Sequence, residues 1–151
     1  MASRVDFAVS ATPVYSHAAG EGAAVDVIAR DVGKKLGGSG SLATTWGSTE
    51  GYGDSTPGVA DYKSATTSAS SLDALTSIVF LFIKHSGYTD SNLTTETSAK
   101  LTISLGSSTV LAILNKGDAI VLPYATATSP DIQVKSASST IAVEYMATFS
   151  S

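Results

Sequence analysis

Ile78-Val79-Phe80-Leu81-Phe82-Ile83 is the stretch that decides the fold. These six apolar residues stand in a row within a chain that is otherwise rich in Ser, Thr, Ala and Gly. A strand alternates its side chains between two faces, so a strand without polar alternation must be covered on both. One face can pack in the domain's own core, and the other needs a loop, a helix or another subunit.

The length and composition exclude several classes of protein. The 151 residues suit a single domain over 1–151, long enough to bury about two-thirds of its unfolded surface. A net charge of -4 argues against a nucleic-acid groove, because phosphate binding needs clustered Lys and Arg. The absence of Cys excludes disulfides and thiolate sites.

The N-terminus lacks the apolar core of a signal peptide, and residues 78–83 are too few to span a bilayer. We therefore expect neither a nucleic-acid nor a membrane partner, and a protein made in a reducing cytoplasm.

Residues 76–149 are expected to supply the core strands of the fold. Leu101, Ile103 and Leu105 alternate with Thr102 and Ser104, which gives one buried and one wet face. Further strands are expected over 110–114, 119–122, 132–135 and 141–149, the first of them an apolar run covered on both sides. Turn residues separate these runs, and Gly117 is suited to a positive φ in one such turn. The fold class is therefore all-β, an antiparallel β-sandwich or jelly roll.

Residues 1–75 are less regular. Val5 to Ala11 alternate as a strand does, and residues 25–36 fit either a strand or one short helix, which we favour. Residues 37–71 are rich in Gly, Ser and Thr and are expected to form a long loop. The loop carries Trp46, Tyr52 and Tyr62, whose rings are expected to lie on a protein surface, because exposing each loses roughly 1.5 to 3 kcal/mol of burial. That surface is either the edge of the same sandwich or a neighbouring molecule.

Chemically specialised residues are few. His17 and His85 are the only histidines, and His85 follows the apolar run where a strand enters a turn, so solvent or a hydrogen bond at the sheet end is its expected environment. Residues 90–96 space oxygen side chains as calcium loops do, but lack the Gly and the distal Glu of an EF-hand, which favours a turn stabilised by Asp90 and Asn92. We expect no cofactor, no metal and no enzymatic activity.

The order of strands and turns resembles the small β-sandwich virion proteins of tailed bacteriophages. The similarity covers roughly residues 76–149 and is carried by the segments 78–87, 101–106, 114–123, 132–134 and 143–145. In such proteins an apolar strand ending in a Lys/Asn-Gly turn precedes a hairpin, a Gly-Asp or Gly-Glu turn and a closing strand with Glu-Tyr. The resemblance implies a capsid decoration or cement protein in the virion, assembled in the host cytoplasm. Its implied partners are the major capsid protein or other virion proteins, and further copies of itself, most often as a trimer.

The expected function is therefore structural, through protein-protein contacts. Low charge and aromatic residues are typical of interface cores, and 15% charged residues is well below the average of about 25%. Two alternatives remain open: a monomeric carbohydrate-binding module that stacks sugars on its aromatic rings, and a phage tail or head-to-tail connector component. The candidate interface residues are Ile78, Phe80, Phe82, Trp46, Tyr52 and Tyr62.

Overall fold

The computed structural model describes residues 3–11, 14–17, 25–28, 36–44, 62–72, 78–123 and 132–149. Within these ranges every regular element is a strand, which confirms the predicted all-β class. The strands are β1 (Ser3–Ala11), β2 (Val14–His17), β3 (Val25–Ile28), β4 (Leu36–Thr44), β5 (Tyr62–Ala65), β6 (Ser70–Ser71), β7 (Ile78–His85), β8 (Leu101–Leu105), β9 (Thr109–Leu114), β10 (Ala119–Pro123), β11 (Ile132–Ser136) and β12 (Ile141–Phe149).

The chain divides into two compact units. The smaller unit is Asp6–Ser41, and the larger comprises Met1–Val5 and Leu42–Ser151. In the smaller unit β2 pairs antiparallel with β3, from Val14 opposite Ile28 to His17 opposite Val25. A separate two-stranded sheet joins β1 to β4. That the whole of 1–151 behaves as a single domain stays a prediction.

The larger unit is an antiparallel β-sandwich. One four-stranded sheet has the order β10-β7-β12-β5 and the other has the order β6-β11-β8-β9. Both sheets contribute to one apolar core, in which Leu81, Ile83 and Val143 of the first sheet lie with Ile103 and Val134 of the second. The alternation predicted for β8 is present, since Leu101 and Ile103 are buried while Thr102 and Ser104 are half-buried. The core therefore lies between two sheets whose inner faces carry branched aliphatic residues.

The favoured helix over residues 25–36 is wrong where the structure describes that segment. Residues 25–28 form β3, and Leu36 begins β4. Val25 and Val27 are β-branched residues that alternate along the chain, and they pair with β2. Strand pairing therefore decides between two periodicities that this short segment satisfies equally well.

The expected loop over residues 37–71 contains three strands. Residues 36–44 form β4, and the segment 62–71 supplies β5 and β6 to the two sheets of the sandwich. At Gly40 a Cβ atom would lie only 2.7 Å from Cζ of Phe7, so glycine permits the close approach of that ring. The glycines that suggested a loop are thus compatible with a strand that accommodates a neighbouring aromatic side chain.

Candidate interaction surface

The apolar run that decides the fold forms β7, an interior strand between β10 and β12. Leu81 and Ile83 belong to the core, so Phe80 and Phe82 lie on the opposite face of the sheet. Phe80 is nevertheless only 3% exposed, and Phe82 is half-buried. The described side chains of the run, Phe80 to Ile83, are therefore largely covered on both faces within a single chain. Ile78 begins β7, and its side chain lies outside the described residues.

The three aromatic candidates have different outcomes. Tyr62 begins β5, where it is half-buried and lies opposite Glu144 of β12. Trp46 and Tyr52 lie outside the described residues. The structure therefore does not bring the three rings together into one described site.

The largest exposed apolar stretch in the described part of the sandwich is on β9, a strand that the sequence predicted to be covered on both sides. Val110 and Ile113 are each 56% exposed and Leu111 is 41% exposed. Only Leu114 and Ala112 face the core. The prediction for this run is wrong for the isolated chain, because β9 is the last strand of its sheet and no described residue forms a strand or layer on its outer flank or face.

The four edges of the sandwich sheets each carry a feature that opposes edge-to-edge pairing. β9 contains a bulge at Leu111, since Ile103 pairs with Ala112 while the next residue, Ser104, pairs with Val110. β10 ends at Pro123, β5 contains Lys63 and β6 is only two residues long. Bulges, proline, lysine and short length are the devices by which sheets avoid adding foreign strands. The faces of the sheets are therefore better suited to contacts than their edges.

The outer face of the sheet β6-β11-β8-β9 combines aliphatic, hydroxyl and cationic side chains. The pairing register places Val110 opposite Ser104 and Ile113 opposite Thr102, so the bulge at Leu111 brings both side chains to this face. Lys135 of β11 lies opposite Thr102 on the far side of β8. A groove of about 450 Å³ runs over this face; its lining includes Thr102, Ser104, Ser107, Ser108, Val110 and Lys135.

The four strands of this sheet contain one charged residue, Lys135, and no Asp or Glu. Lys135 is exposed and pairs with no carboxylate among the described residues. We call this face the β9 face.

The turn between β9 and β10 fixes the position of the exposed strand. Asp118 accepts hydrogen bonds from the backbone N–H of Asn115 at 2.8 Å and from its side-chain amide at 3.0 Å. These bonds, the backbone one first, hold the pKa of Asp118 below its ordinary value. Gly117 has a φ of 86°, as predicted, and its N–H donates to the carbonyl of His85 at 3.0 Å. The turn is thus hydrogen-bonded to the end of β7, a strand of the sheet opposite to the one that contains β9.

His85 is fully buried at the end of β7, with both ring nitrogens hydrogen-bonded. The N–H of Gly87 donates to Nδ1 at 2.9 Å, which assigns the ring proton to Nε2, and Nε2 donates to the carbonyl of Ala99 at 2.7 Å. This confirms the hydrogen-bonded alternative for His85. The ring joins two loop segments and has no nitrogen left for a substrate or a metal. His17 lies in β2, and its side chain is outside the described residues.

The segment that resembled a calcium loop is a turn organised by Asp90. Its carboxylate accepts from the backbone N–H of Thr95 at 3.1 Å and from the backbone and hydroxyl groups of Thr94. The bond from Thr95 is the main reason that the pKa of Asp90 is lowered. The predicted turn is confirmed for Asp90, since protein donors occupy its carboxylate oxygens, whereas the predicted contribution of the Asn92 side chain stays a prediction.

Neither a metal-binding cluster nor a membrane-spanning helix occurs in the described ranges. Among these residues no three His, Asp or Glu side chains lie close enough together to hold a metal ion. The same part of the chain contains no helix of the length and apolar character needed to cross a bilayer. No protein-family model, curated protein or solved structure matches this chain.

Proposed function

We propose that this chain is a non-enzymatic structural virion protein of a tailed bacteriophage, which decorates or cements the capsid through protein-protein contacts. The observation that carries the proposal is the exposure of Val110, Leu111 and Ile113 on a strand of a charge-poor sheet. Three large aliphatic side chains exposed together on one strand form an apolar patch that a protein partner would cover. The succession of strand and turn segments in the sequence of residues 76–149, which resembles that of such virion proteins, supports the same function.

The chemistry of the described residues is consistent with this role. His85, whose imidazole is the side chain best suited to acid-base catalysis, is buried and saturated by backbone groups. The carboxylates of Glu144 and Glu96 pair with Lys84 at 3.2 Å and Lys116 at 2.6 Å. These groups therefore take part in contacts within the fold.

The proposed partners are the major capsid protein or other virion proteins, together with further copies of this chain. A trimer is the oligomer that the resemblance favours. Several linked copies would bind with a higher overall avidity than one copy, because linked sites bind at a high effective concentration.

The test is to locate the chain in particles of the phage that encodes it. Gradient-purified virions, emptied capsids and isolated tails would be digested and quantified by mass spectrometry. The proposal predicts many copies per particle, in the capsid fraction. Recovery with tails would instead place the chain among tail or connector components, and absence from all fractions would contradict a virion role.

The carbohydrate alternative is tested on the isolated chain. The structural role predicts no saturable change in tryptophan fluorescence across a glycan panel, and a single Trp makes this signal specific to Trp46. A saturable response from a monomer that is absent from virions would favour the carbohydrate-binding module.

A further inference from the structure

We infer that the β9 face is the docking surface for an acidic segment of another protein that also carries aliphatic side chains. The inference rests on the proposed function and deepens it, because it states the chemistry of the partner. It starts from the juxtaposition of Val110 and Ile113 with the hydroxyls of Thr102 and Ser104 and the ammonium of Lys135 on one side of one sheet.

The charges of this face select a carboxylate-bearing partner. Lys135 is exposed without a described carboxylate partner, and Lys100, immediately before β8 on the same alternation, is exposed as well. The strands of this sheet contain no Asp or Glu. Ser and Thr hydroxyls can donate hydrogen bonds to carboxylate oxygens, and the ammonium groups supply the opposite charge. A basic partner would meet only like charge here.

The described carboxylates of the sandwich make a second copy a poor source of that charge. Asp90 and Asp118 accept hydrogen bonds within their own turns, while Glu96 and Glu144 pair with lysines. Using any of them across an interface would break an existing contact. As far as the described carboxylates go, the charges therefore favour a different protein as the occupant.

The mode of contact is face-on. The bulge at Leu111 interrupts the outer edge of β9, so a partner cannot extend the sheet by continuous backbone pairing. A partner laid over β9, β8 and β11 covers Val110 and Ile113 and reaches Lys135. With strands about 4.8 Å apart and residues about 3.3 Å apart, the three strands present about 250 Å², well below the roughly 800 Å² per partner of a standard interface. Each contact is accordingly weak, and many copies on a particle would act together.

The test is an NMR titration of the isolated full-length chain with two matched peptides, one alternating Glu with Val and the other alternating Lys with Val. The acidic peptide is expected to shift the amide signals of residues 102–104, 110–113 and 135, with an affinity that falls as salt is added. Ile113→Ser is expected to weaken binding about tenfold, and Lys135→Gln about threefold. Both sites are exposed, and retained dispersion of the remaining signals would show that the variants fold.

The control variant is Lys63→Gln, which makes the same charge change in the opposite sheet and is expected to leave binding unchanged. The inference is overturned if neither peptide shifts this face, if the basic peptide binds as well, or if the shifts lie elsewhere. It is also overturned if inorganic phosphate or an oligothymidylate reproduces the shifts at equal affinity, or if raising the protein concentration alone does so. Because no virion is used, a chain absent from particles would contradict the proposed function without affecting this result.

Discussion

β7 and β9 carry apolar runs of similar length but have different surroundings. β7 lies between two neighbouring strands, places Leu81 and Ile83 in the core and keeps Phe80 buried on its other face. β9 is the last strand of its sheet, and Val110 and Ile113 are each more than half exposed. The comparison teaches that an apolar run specifies a strand, while its position in the sheet determines whether the chain covers it. The run that is left uncovered is the better candidate for a contact.

The largest expected difference is in the free energy of unfolding, when equivalent substitutions on β7 and β9 are compared. Ile83→Ala removes fully buried methyl groups and is expected to lower the free energy of unfolding by about 3 kcal/mol. Ile113→Ala is expected to change it by less than about 0.5 kcal/mol, because that side chain already contacts water. Urea denaturation followed by circular dichroism would measure both. Equal losses would show that β9 is packed within its own chain.

A smaller loss is expected where β7 ends. His85→Leu preserves a buried side chain but leaves the N–H of Gly87 and the carbonyl of Ala99 without their partner. Unsatisfied buried groups should lower the free energy of unfolding by about 2 kcal/mol. The matched control is Lys84→Leu, next in the chain and half-buried, which loses only an ion pair with Glu144. If the two variants were equally stable, the hydrogen bonds of His85 would contribute little.

The turn that positions β9 should give a pH-dependent effect. The folded-state pKa of Asp118 is lowered, so its stabilisation is present above the unfolded value and is lost as the pH falls through the folded one. Asp118→Asn should therefore lower the Tm at neutral pH, and the difference from the wild type should shrink as the pH falls below the unfolded-state pKa of about 3.8. Differential scanning calorimetry across this range would measure it. A difference that is constant with pH would mean that the charge of Asp118 is unimportant.

The smallest effect is expected at Ser136, which ends β11. Its Oγ is buried and has no hydrogen-bond partner in the structure, so Ser136→Ala should leave the free energy of unfolding unchanged or slightly raise it. Ser139→Ala is the control, because that hydroxyl bonds to Oγ1 of Thr97 at 2.7 Å, and it should cost about 1 kcal/mol. A marked loss at Ser136 instead would reveal a partner for the hydroxyl.

The sequence predicted the strands whose side chains alternate or form apolar runs. β8, β11 and β12 were expected because apolar residues recur at every second position within each of them. Examples are Leu101 and Ile103 in β8, Val134 in β11 and Val143 in β12. This pattern depends only on which face of the strand is buried. The Asp90 turn and the positive φ of Gly117 were predictable for a similar reason, because both depend on local chemistry. Local patterns were therefore sufficient to predict these strands and turns.

The features that the sequence did not predict depend on contacts between distant segments. β4 reads as a glycine-rich loop, and it is a strand because it pairs with β1, with Gly40 making room for Phe7. The exposure of β9 could not be predicted because residues 109–114 have the same apolar character in the centre of a sheet and at its edge. The β9 face was likewise unpredictable, since β11 and β9 each reach it only by pairing with β8.

The most direct test of the central claim compares the exposure of β9 in the free chain and in particles of the proposed phage. The chain has no cysteine, so Ile113→Cys provides a single thiol on β9 and Ile83→Cys provides one on β7. Maleimide labelling should be fast at position 113 in the isolated chain and at least about tenfold slower in purified particles, whereas position 83 should be slow in both. Equal labelling of position 113 in both states would contradict the claim that a partner covers β9.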